Sequence, residues 1–328
     1  MKKKTLLVAG AVTLTGVAAL TLTGSYQQWK YDELVRIKKR SHYVTTSAGP
    51  IEYAVEGQGP AILLIHGSPG GYDQSISLSR YMNIPDYMCI APSRPGYLHT
   101  PLHAGASPEE QADLYAALLD TLQIDRVIVL GISGGGPSAI QFALRHPQRC
   151  RGLILFCAVV RRYVESEFYR QLPLHQRLFK SLKNDLLLFN PFVYLLQSIL
   201  KLQANIFIED NVLDSFSLGH LRKEGYRNDM RQFEALTSYP LEKITAPTFI
   251  AQGTADTEVP FADAQLLARE IPQVEFMPVE GADHHFFLTH QGKFMPQLRN
   301  FLQSLRTPPT ESIQTGLSYG SFHQVSRE

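Results

Sequence analysis

The chain has 328 residues, of which 44% are hydrophobic and 19% are charged, and its formal net charge is +1. This composition is typical of a globular protein with a sizeable core, and the charge gives no electrostatic reason to expect a nucleic-acid partner. The three cysteines, Cys89, Cys150 and Cys157, are too few and too irregularly spaced for a disulfide framework or a zinc site, so we interpret them as packing residues.

The first predicted element is an apolar segment at the N-terminus. Lysines at positions 2–4 precede a stretch without charge that continues to Lys30 and contains the aromatic residues Tyr26 and Trp29 near its end. We predict that residues 1–29 form a membrane anchor or a cleaved signal peptide, which places the catalytic part in the cell envelope, outside the cytoplasm. A buried N-terminal helix is the less favoured alternative, because the segment has no polar face.

From residue 42 to residue 160, short apolar runs alternate with helical patterns, which is typical of strands and helices around a parallel sheet. The first two runs predict a hairpin, and the later ones predict buried strands because Val, Ile, Leu and Phe dominate them. The eight predicted strands lie in SHYVTTSAG, IEYAVEG, AILLIHG, MCIAP, RVIVLGIS, RGLILFCAV, APTFIAQG and QVEFMPV. We therefore predict an α/β fold with a mostly parallel eight-stranded sheet and helices on both faces.

A crossover helix is predicted to begin after Ser107. This serine caps the helix, Pro108 fits its first position, and Glu110 completes a capping box. Apolar residues then recur at helical spacing, which predicts one face packed on the sheet.

The alternation of strands and helices stops between residues 161 and 240. This stretch is helical in character, and its apolar run Leu186 to Leu200 is interrupted at Asn190 and Pro191, so it is too short and broken to cross a membrane. We predict a helical cap there. Strands and helices resume over residues 241–306, and residues 307–328 are predicted to be a flexible tail because they are polar and rich in Pro, Ser and Thr.

The strongest local signal is Gly131-Ile132-Ser133-Gly134-Gly135, which follows the predicted strand RVIVL and precedes a helical pattern. A G-x-S-x-G segment at a strand-to-helix turn holds the serine on a strained elbow with its hydroxyl exposed. We predict that Ser133 is a nucleophile. A phosphate-binding loop is disfavoured, because the segment fits neither G-x-G-x-x-G nor the Walker pattern with its lysine.

A second signal is the turn HGSPGG, residues 66–71, at the end of an earlier predicted strand. A glycine-rich bend there lets a backbone N–H point at the same space as Ser133, as an oxyanion hole requires. We assign the two donors to the backbone N–H groups of Ser68 and Gly134. The alternative is an ordinary tight turn in which His66 is a core histidine with satisfied hydrogen bonds.

A serine nucleophile needs a base, and the base needs an acid to orient it. His284 follows the last predicted strand, in GADHH, and Asp256 follows APTFIAQG, in GTADTEVP. The order Ser, Asp, His along the chain is the one found in the α/β-hydrolase fold. His285 is an alternative base, and Glu258 and Asp263 are alternative acids.

Taken together, the segments resemble α/β-hydrolase-fold enzymes. GISGGGP, HGSPGG, SRPGY (Ser93 to Tyr97), GTADTEVP and GADHH occur in the order that these enzymes have, over about residues 50–160 and 244–305. The resemblance implies oxyanion donors at Ser68 and Gly134, an acid at Asp256 and a base at His284. The chain departs from the family pattern where many members have an aspartate, here Ser93, and where they have a second glycine, here Leu98. A serine at the elbow argues against epoxide hydrolases and haloalkane dehalogenases, whose nucleophile is aspartate.

These observations predict a serine hydrolase that cleaves a carboxylic ester of small or apolar character through an acyl-enzyme on Ser133, with no cofactor and no metal. Hydrolysis of a C–C bond or of an aminoacyl substrate by the same three residues is the alternative. A non-catalytic binding protein on the same fold is less favoured, because all three triad candidates are present. The expected partners are a small-molecule substrate and, through the N-terminal segment, a membrane.

Overall fold

One central sheet organises the chain. A computed structural model describes residues 23–203 and 215–306. The strands in this part are β1 (His42–Thr46), β2 (Gly49–Glu56), β3 (Ala61–Ile65), β4 (Met88–Pro92), β5 (Val127–Ile132), β6 (Cys150–Phe156), β7 (Thr248–Gly253) and β8 (Val274–Val279). They form one sheet in the order β1-β2-β4-β3-β5-β6-β7-β8. β2 pairs antiparallel with β1 and β4, and the other pairings are parallel, so the predicted mostly parallel eight-stranded sheet and its opening hairpin are confirmed.

The central strands are buried on both faces because helices cover each side of the sheet. The described helices are α1 (residues 23–40), α2 (Tyr72–Met82), α3 (Pro108–Thr121), α4 (Gly136–Arg145), α5 (Glu165–Tyr169), α6 (Leu174–Leu187), α7 (Asn190–Gln203), α8 (Lys223–Ala235), α9 (Phe261–Glu270), α10 (Phe286–Thr289) and α11 (Gln291–Ser304). In β3, Ile62 and Leu64 face one apolar layer with α1, α2 and α11, whereas Leu63 and Ile65 face a second layer with α3, α4 and α9. This alternation follows from the two-residue period of a strand.

The capping box predicted for α3 is present. The Ser107 side chain accepts a hydrogen bond from the backbone N–H of Glu110, and the Glu110 carboxylate accepts one from the backbone N–H of Ser107. Pro108 is the first helical residue, so the helix begins where the sequence indicates.

The predicted helical cap is confirmed as an insertion between β6 and β7 that contains α5, α6, α7 and α8. The break predicted in its apolar run separates α6 from α7, and Asn190 begins the second helix. The Asn190 side chain accepts a hydrogen bond of 2.6 Å from the backbone N–H of Gly219. Phe233 of α8 packs with Val159 and Val259, which joins the cap to the loops that follow β6 and β7.

Helix α1 connects the N-terminal part of the chain to both the sheet layer and the cap. Ile37 is fully buried, and its carbonyl oxygen accepts a hydrogen bond of 2.6 Å from the Tyr72 hydroxyl. Trp29 Nε1 donates a hydrogen bond of 2.8 Å to Gln197 Oε1 of α7. Most of the predicted anchor, residues 1–22, lies outside the described residues, as does the predicted tail, residues 307–328. None of the helices in the described part of the chain combines the length and the hydropathy needed to cross a bilayer.

Candidate active site

Ser133 lies at the sharp turn between β5 and α4. Its φ of +48° is in the left-handed region, which is unfavourable for a residue with a Cβ and is typical of strained functional positions. A Cβ at Gly131 would lie 2.5 Å from the Ala139 side chain, and one at Gly135 would lie 2.5 Å from the Ile65 carbonyl oxygen. The turn therefore needs these glycines to bring strand and helix together beneath the serine.

The structure brings Ser133, His284 and Asp256 into one hydrogen-bonded line. His284 Nε2 lies 3.1 Å from Ser133 Oγ, and His284 Nδ1 lies 2.8 Å from Asp256 Oδ2. Ser133 follows β5, Asp256 follows β7 and His284 follows β8, so all three lie at the carboxyl end of the parallel strands. The predicted spatial convergence is present, with distances suited to passing the serine proton to the imidazole.

The Asp256 carboxylate is fixed by further hydrogen bonds. Its Oδ1 accepts hydrogen bonds from the backbone N–H groups of Glu258 at 2.8 Å and Val259 at 3.0 Å. Its Oδ2 accepts one of 3.0 Å from Gln252 Nε2, in addition to its contact with His284. The carboxylate thus has a single orientation, in which Oδ2 points at the imidazole and favours the tautomer with the proton on Nδ1.

Charged neighbours set the protonation of His284. Burial alone would lower the pKa of the imidazole, but the Cys157 sulfur and the carboxylates of Asp256 and Glu258 raise it well above its usual value. The Cys157 Sγ lies 3.8 Å from His284 Nε2, but it can raise the imidazole pKa only as a thiolate, and burial raises the pKa of this thiol. At neutral pH the carboxylates of Asp256 and Glu258 are therefore the charges that act on His284. His284 therefore has an environment that stabilises the imidazolium formed when Ser133 loses its proton.

One group of potential metal ligands overlaps this site. Ligand atoms of Cys157, Asp256 and His284 lie within 4.8 Å of one another. Nδ1 of the imidazole and Oδ2 of the carboxylate are already bonded to each other, and both carboxylate oxygens accept further hydrogen bonds. These bonds engage both oxygens of the Asp256 carboxylate and Nδ1 of His284, so we assign the cluster to acid–base chemistry.

The alternative bases and acids occupy other positions. Asp263 lies in the first turn of α9, where its carboxylate accepts a hydrogen bond of 2.8 Å from Arg161 Nε. His285 packs edge-on against the His284 ring and lines the cavity described below. Glu258 also lines that cavity, and its hydrogen bond to Asp256 comes from its backbone. In this geometry Ser133 bonds to His284, and the acid bonded to His284 is Asp256.

The turn after β3 lies against the elbow. Ser68 lines the cavity in front of Ser133, and a side chain at Gly134 would overlap the Ser68 hydroxyl, so the two predicted oxyanion donors are neighbours. His66 is completely buried, with Nδ1 2.7 Å from the Gly67 carbonyl oxygen and Nε2 accepting from the backbone N–H of Arg94. Burial, followed by the charge of Arg94, lowers its pKa well below its usual value, so His66 is a neutral core histidine that braces the turn.

A buried polar network, not anticipated from the sequence, connects this turn to the cap. Arg94 forms a bidentate ion pair with Asp229 of α8, with contacts of 2.8 and 2.6 Å. Asp229 also accepts short hydrogen bonds from the hydroxyls of Ser68 and Tyr97. Arg94 and Tyr97 belong to the segment SRPGY that the sequence analysis identified, but Asp229 lies more than 130 residues away and carries no local signal.

The cavity in front of Ser133 has a volume of about 200 Å³. Its walls are mainly apolar and come from the core and the cap, whereas its polar groups lie near the triad. The apolar lining residues are Pro69, Leu78, Ile132, Leu187, Phe216, Phe287 and Leu288. Gln74, Glu258 and His285 are the polar side chains beyond the triad and Ser68, and no Lys or Arg is among the described lining residues. Such a site suits a neutral, largely apolar ligand.

Comparison with known proteins identifies the family. The α/β hydrolase fold family matches residues 60–291, about 70% of the chain. An uncharacterized hydrolase, YcgS, from Bacillus subtilis is 29% identical over 244 residues, which cover 70% of this chain and 86% of the relative. A 2-hydroxy-6-oxononadienedioate/2-hydroxy-6-oxononatrienedioate hydrolase from Cupriavidus pinatubonensis is 27% identical over 287 residues, which cover 80% and 95%.

A solved structure supports the same assignment. An α/β hydrolase fold protein from Nakamurella multipartita is 31% identical and superimposes with a TM-score of 0.61. The match covers 81% of this chain and 98% of the solved chain.

Proposed function

The chain belongs to the α/β-hydrolase fold family and is a hydrolase, and on this premise we propose that it cleaves carboxylic esters with an apolar acyl group. The observation that carries the proposal is the line Ser133–His284–Asp256, with contacts of 3.1 and 2.8 Å, beneath a mainly apolar cavity. Ser133 is the proposed nucleophile, His284 the base and Asp256 the acid that orients it.

In the proposed reaction, His284 removes the proton from Ser133 as its oxygen attacks the ester carbonyl. The backbone N–H groups of Ser68 and Gly134 stabilise the tetrahedral oxyanion, a contribution of about a hundred- to a thousandfold per donor in comparable sites. His284 returns its proton to the departing alcohol, and water then hydrolyses the acyl-enzyme by the same steps.

Hydrolysis of a C–C bond is the second candidate, supported by the similarity to the hydrolase from Cupriavidus pinatubonensis. By its name, the substrate of that relative is a dicarboxylate. The described lining of the cavity in the present chain has no Lys or Arg that could bind the two carboxylates of such a substrate. The charge of the site therefore favours a neutral ester.

Ser133→Ala tests the nucleophile. We expect this variant to lose about a millionfold in kcat for a p-nitrophenyl ester and to lose labelling by a fluorophosphonate probe, because no other group replaces the hydroxyl. Ser138→Ala is the matched control, since it removes a buried hydroxyl of the same segment, one that donates to the Gly135 carbonyl oxygen, and should retain activity. Retained turnover or labelling in Ser133→Ala would reject the proposal.

A substrate panel tests the bond type and the apolar preference. In a series of p-nitrophenyl esters we expect kcat/KM to rise from acetate by about fourfold per added methylene until the cavity is filled, as expected for burial of each CH₂ group. Vinylogous β-diketones and aminoacyl amides serve as the C–C and peptide arms of the panel. Faster turnover of a dicarboxylate β-diketone than of every ester would show that C–C hydrolysis, and not ester cleavage, is the function of the site.

A further inference from the structure

The outer surface of the cap carries a row of exposed apolar side chains. Leucines 174, 178, 182 and 186 recur every four residues along α6, which places them on one face of the helix. Their exposed fractions are 69, 55, 56 and 36%, and Phe189 and Leu195 beyond the helix are each 56% exposed. We call the surface formed by these six residues the outer cap face: Leu174, Leu178, Leu182, Leu186, Phe189 and Leu195.

The opposite side of the same helical hairpin is packed on the protein. Leu188 and Val193 are buried, and Leu187 lines the cavity in front of Ser133. Lys180 Nζ lies 3.6 Å from a Glu258 carboxylate oxygen, so α6 is held over the candidate site through its polar side. Burial of the cap therefore does not account for the outer cap face, and an exposed apolar surface of this kind marks a binding site for a membrane or a protein.

The position of α1 indicates which of these partners fits. The apolar segment that precedes residue 23 is about long enough to cross a bilayer, and α1 continues directly from it. At its start, the Tyr26 ring lies 5.5 Å from the ring of Tyr194 in α7, and Trp29 bonds to Gln197 of the same helix. A chain that leaves a bilayer at this point carries α7, and with it the α6–α7 hairpin, at the membrane surface.

The polarity of α6 agrees with this placement. Its leucines are exposed along one side, whereas Lys180 on the other side is directed at the protein and pairs with Glu258. An amphipathic helix with an exposed row of leucines is suited to lie in the interface of a membrane.

We propose that the outer cap face lies on a lipid bilayer, on the side of the protein where α1 begins. The cavity in front of Ser133 is then close to the acyl chains of the membrane, because Leu187 borders that cavity from the helix that carries the leucine row. This inference concerns the position of the cap and does not depend on which bond the site cleaves.

Depth-dependent quenching tests the proposal on the full chain in vesicles of phosphatidylcholine and phosphatidylglycerol. Single cysteines introduced as Leu182→Cys and Leu195→Cys are labelled with bimane, and lipids with a nitroxide on the acyl chain act as quenchers. The three natural cysteines are buried, and the unsubstituted chain gives the background labelling. We expect loss of bimane emission at both positions when the quencher lipid is present.

Tyr43→Cys is the matched control. Tyr43 is 58% exposed, like Leu182, but follows the far end of α1, and the 18 residues of that helix span about 27 Å. Its bimane emission should be unchanged by the quencher. Unquenched emission at positions 182 and 195, or a chain that does not remain with the vesicles, would overturn the proposal. Energy transfer between differently labelled copies at position 182 would also overturn it, because the occupant would then be a second copy of the chain.

Discussion

The carboxylate of Glu258 lines the same cavity as His284. It is a negative charge near the base that is not part of the triad. It acts with Asp256 to raise the pKa of the imidazole, and it faces Lys180 from the cap at 3.6 Å. Because His284 accepts a proton only when neutral, a raised pKa moves the onset of activity to higher pH.

The first prediction concerns the pH profile of the wild-type chain and of Glu258→Gln. In the wild type, kcat/KM should rise with pH through a midpoint above the ordinary histidine pKa of about 6.5. Removal of the Glu258 charge makes the imidazolium less stable, so its pKa falls and the midpoint should move to lower pH. Rates of p-nitrophenyl ester hydrolysis across the pH range give both midpoints.

Glu280→Gln is the control for this shift. Glu280 is an exposed acid in the loop that carries His284 and is not among the groups that raise the pKa of His284. Its removal should leave the midpoint in place. An unchanged midpoint in Glu258→Gln would show that Glu258 does not influence the base.

At the residue scale, the sequence predicted the positions of side chains that lie in turns directly after strands. Ser133, Asp256 and His284 each follow a strand within a short motif, so their order along the chain predicted their convergence. Leu98 was harder to interpret from the sequence. The replacement of a family glycine by Leu98 was visible there, but the resulting φ of +50°, which glycine adopts freely and leucine does not, became apparent only in the structure. The Ser93 hydroxyl donates to Glu52 of β2 at 3.0 Å, a partner 41 residues away that no local pattern indicates.

At the scale of elements, α8 of the cap is tied to the turn after β3 through one buried carboxylate. Asp229 binds Arg94, Tyr97 and Ser68 together, and Arg94 is almost completely buried. A charge in this environment is stable only with its partner, so the network fixes α8 relative to the turn. Since Ser68 is also the proposed oxyanion donor, the cap influences the position of that backbone N–H group.

The second prediction is that Ser68→Ala lowers kcat although it keeps the backbone N–H group. The substitution removes the hydroxyl that joins the turn to Asp229 and leaves the Arg94–Asp229 pair intact. A donor displaced by a fraction of an ångström stabilises the oxyanion less well, and we expect a loss of about ten- to a hundredfold in kcat with a smaller change in KM. Steady-state kinetics with a p-nitrophenyl ester separate the two constants.

Ser75→Ala is the matched control, since Ser75 is completely buried and its hydroxyl donates to the Leu64 carbonyl oxygen at 3.0 Å. It removes a comparable hydrogen bond without contact to the turn, so kcat should be retained. Equal kcat values for the wild type and Ser68→Ala would show that the tether to Asp229 does not position the donor.

Elements with strong local patterns were predictable, and their packing partners were not. The buried strands follow from runs of β-branched and aromatic residues, and α3 begins at its capping box. Residues 23–29 of α1 were assigned to the anchor, because an uncharged segment with terminal aromatics has the composition of a membrane span. In the structure Trp29 is largely buried against the cap, and its partner Gln197 lies 168 residues away.

At the scale of the whole molecule, the buried carboxylate of Asp73 forms two ion pairs that join the N-terminal helix, the core and the cap. Asp73 of α2 contacts Arg222, which directly precedes α8, at 2.8 Å, and contacts Arg36 of α1 at 3.3 Å. Arg222 is completely buried and also donates to the carbonyl oxygens of Gly70 and Ser217. Although burial acts to raise the pKa of Asp73, Arg222 and Arg36 hold it below its usual range.

The third prediction is that Arg222→Met destabilises the whole chain. Loss of one partner leaves the Asp73 charge buried beside Arg36 alone, and breaking such a pair costs about 3–5 kcal/mol of the free energy of unfolding. A carboxyl whose pKa is lowered by folding contributes stability above its unfolded pKa of about 3.9, and this contribution is lost as the pH falls through the folded value. The difference between wild type and variant should therefore be full at neutral pH and shrink in acid.

Urea unfolding followed by circular dichroism measures this difference, with Arg145→Met as the control. Arg145 pairs with Asp113 at 2.6 Å, but both side chains are more than 40% exposed, and surface pairs contribute about 1 kcal/mol or less. The two substitutions remove the same charge, but Arg222 is buried and also donates to two backbone carbonyl oxygens, whereas Arg145 is exposed. If Arg222→Met unfolds at the same urea concentration as Arg145→Met, the buried ion pairs do not hold α1, the core and the cap together. The geometry requires a large loss in the free energy of unfolding for Arg222→Met and a small one for Arg145→Met.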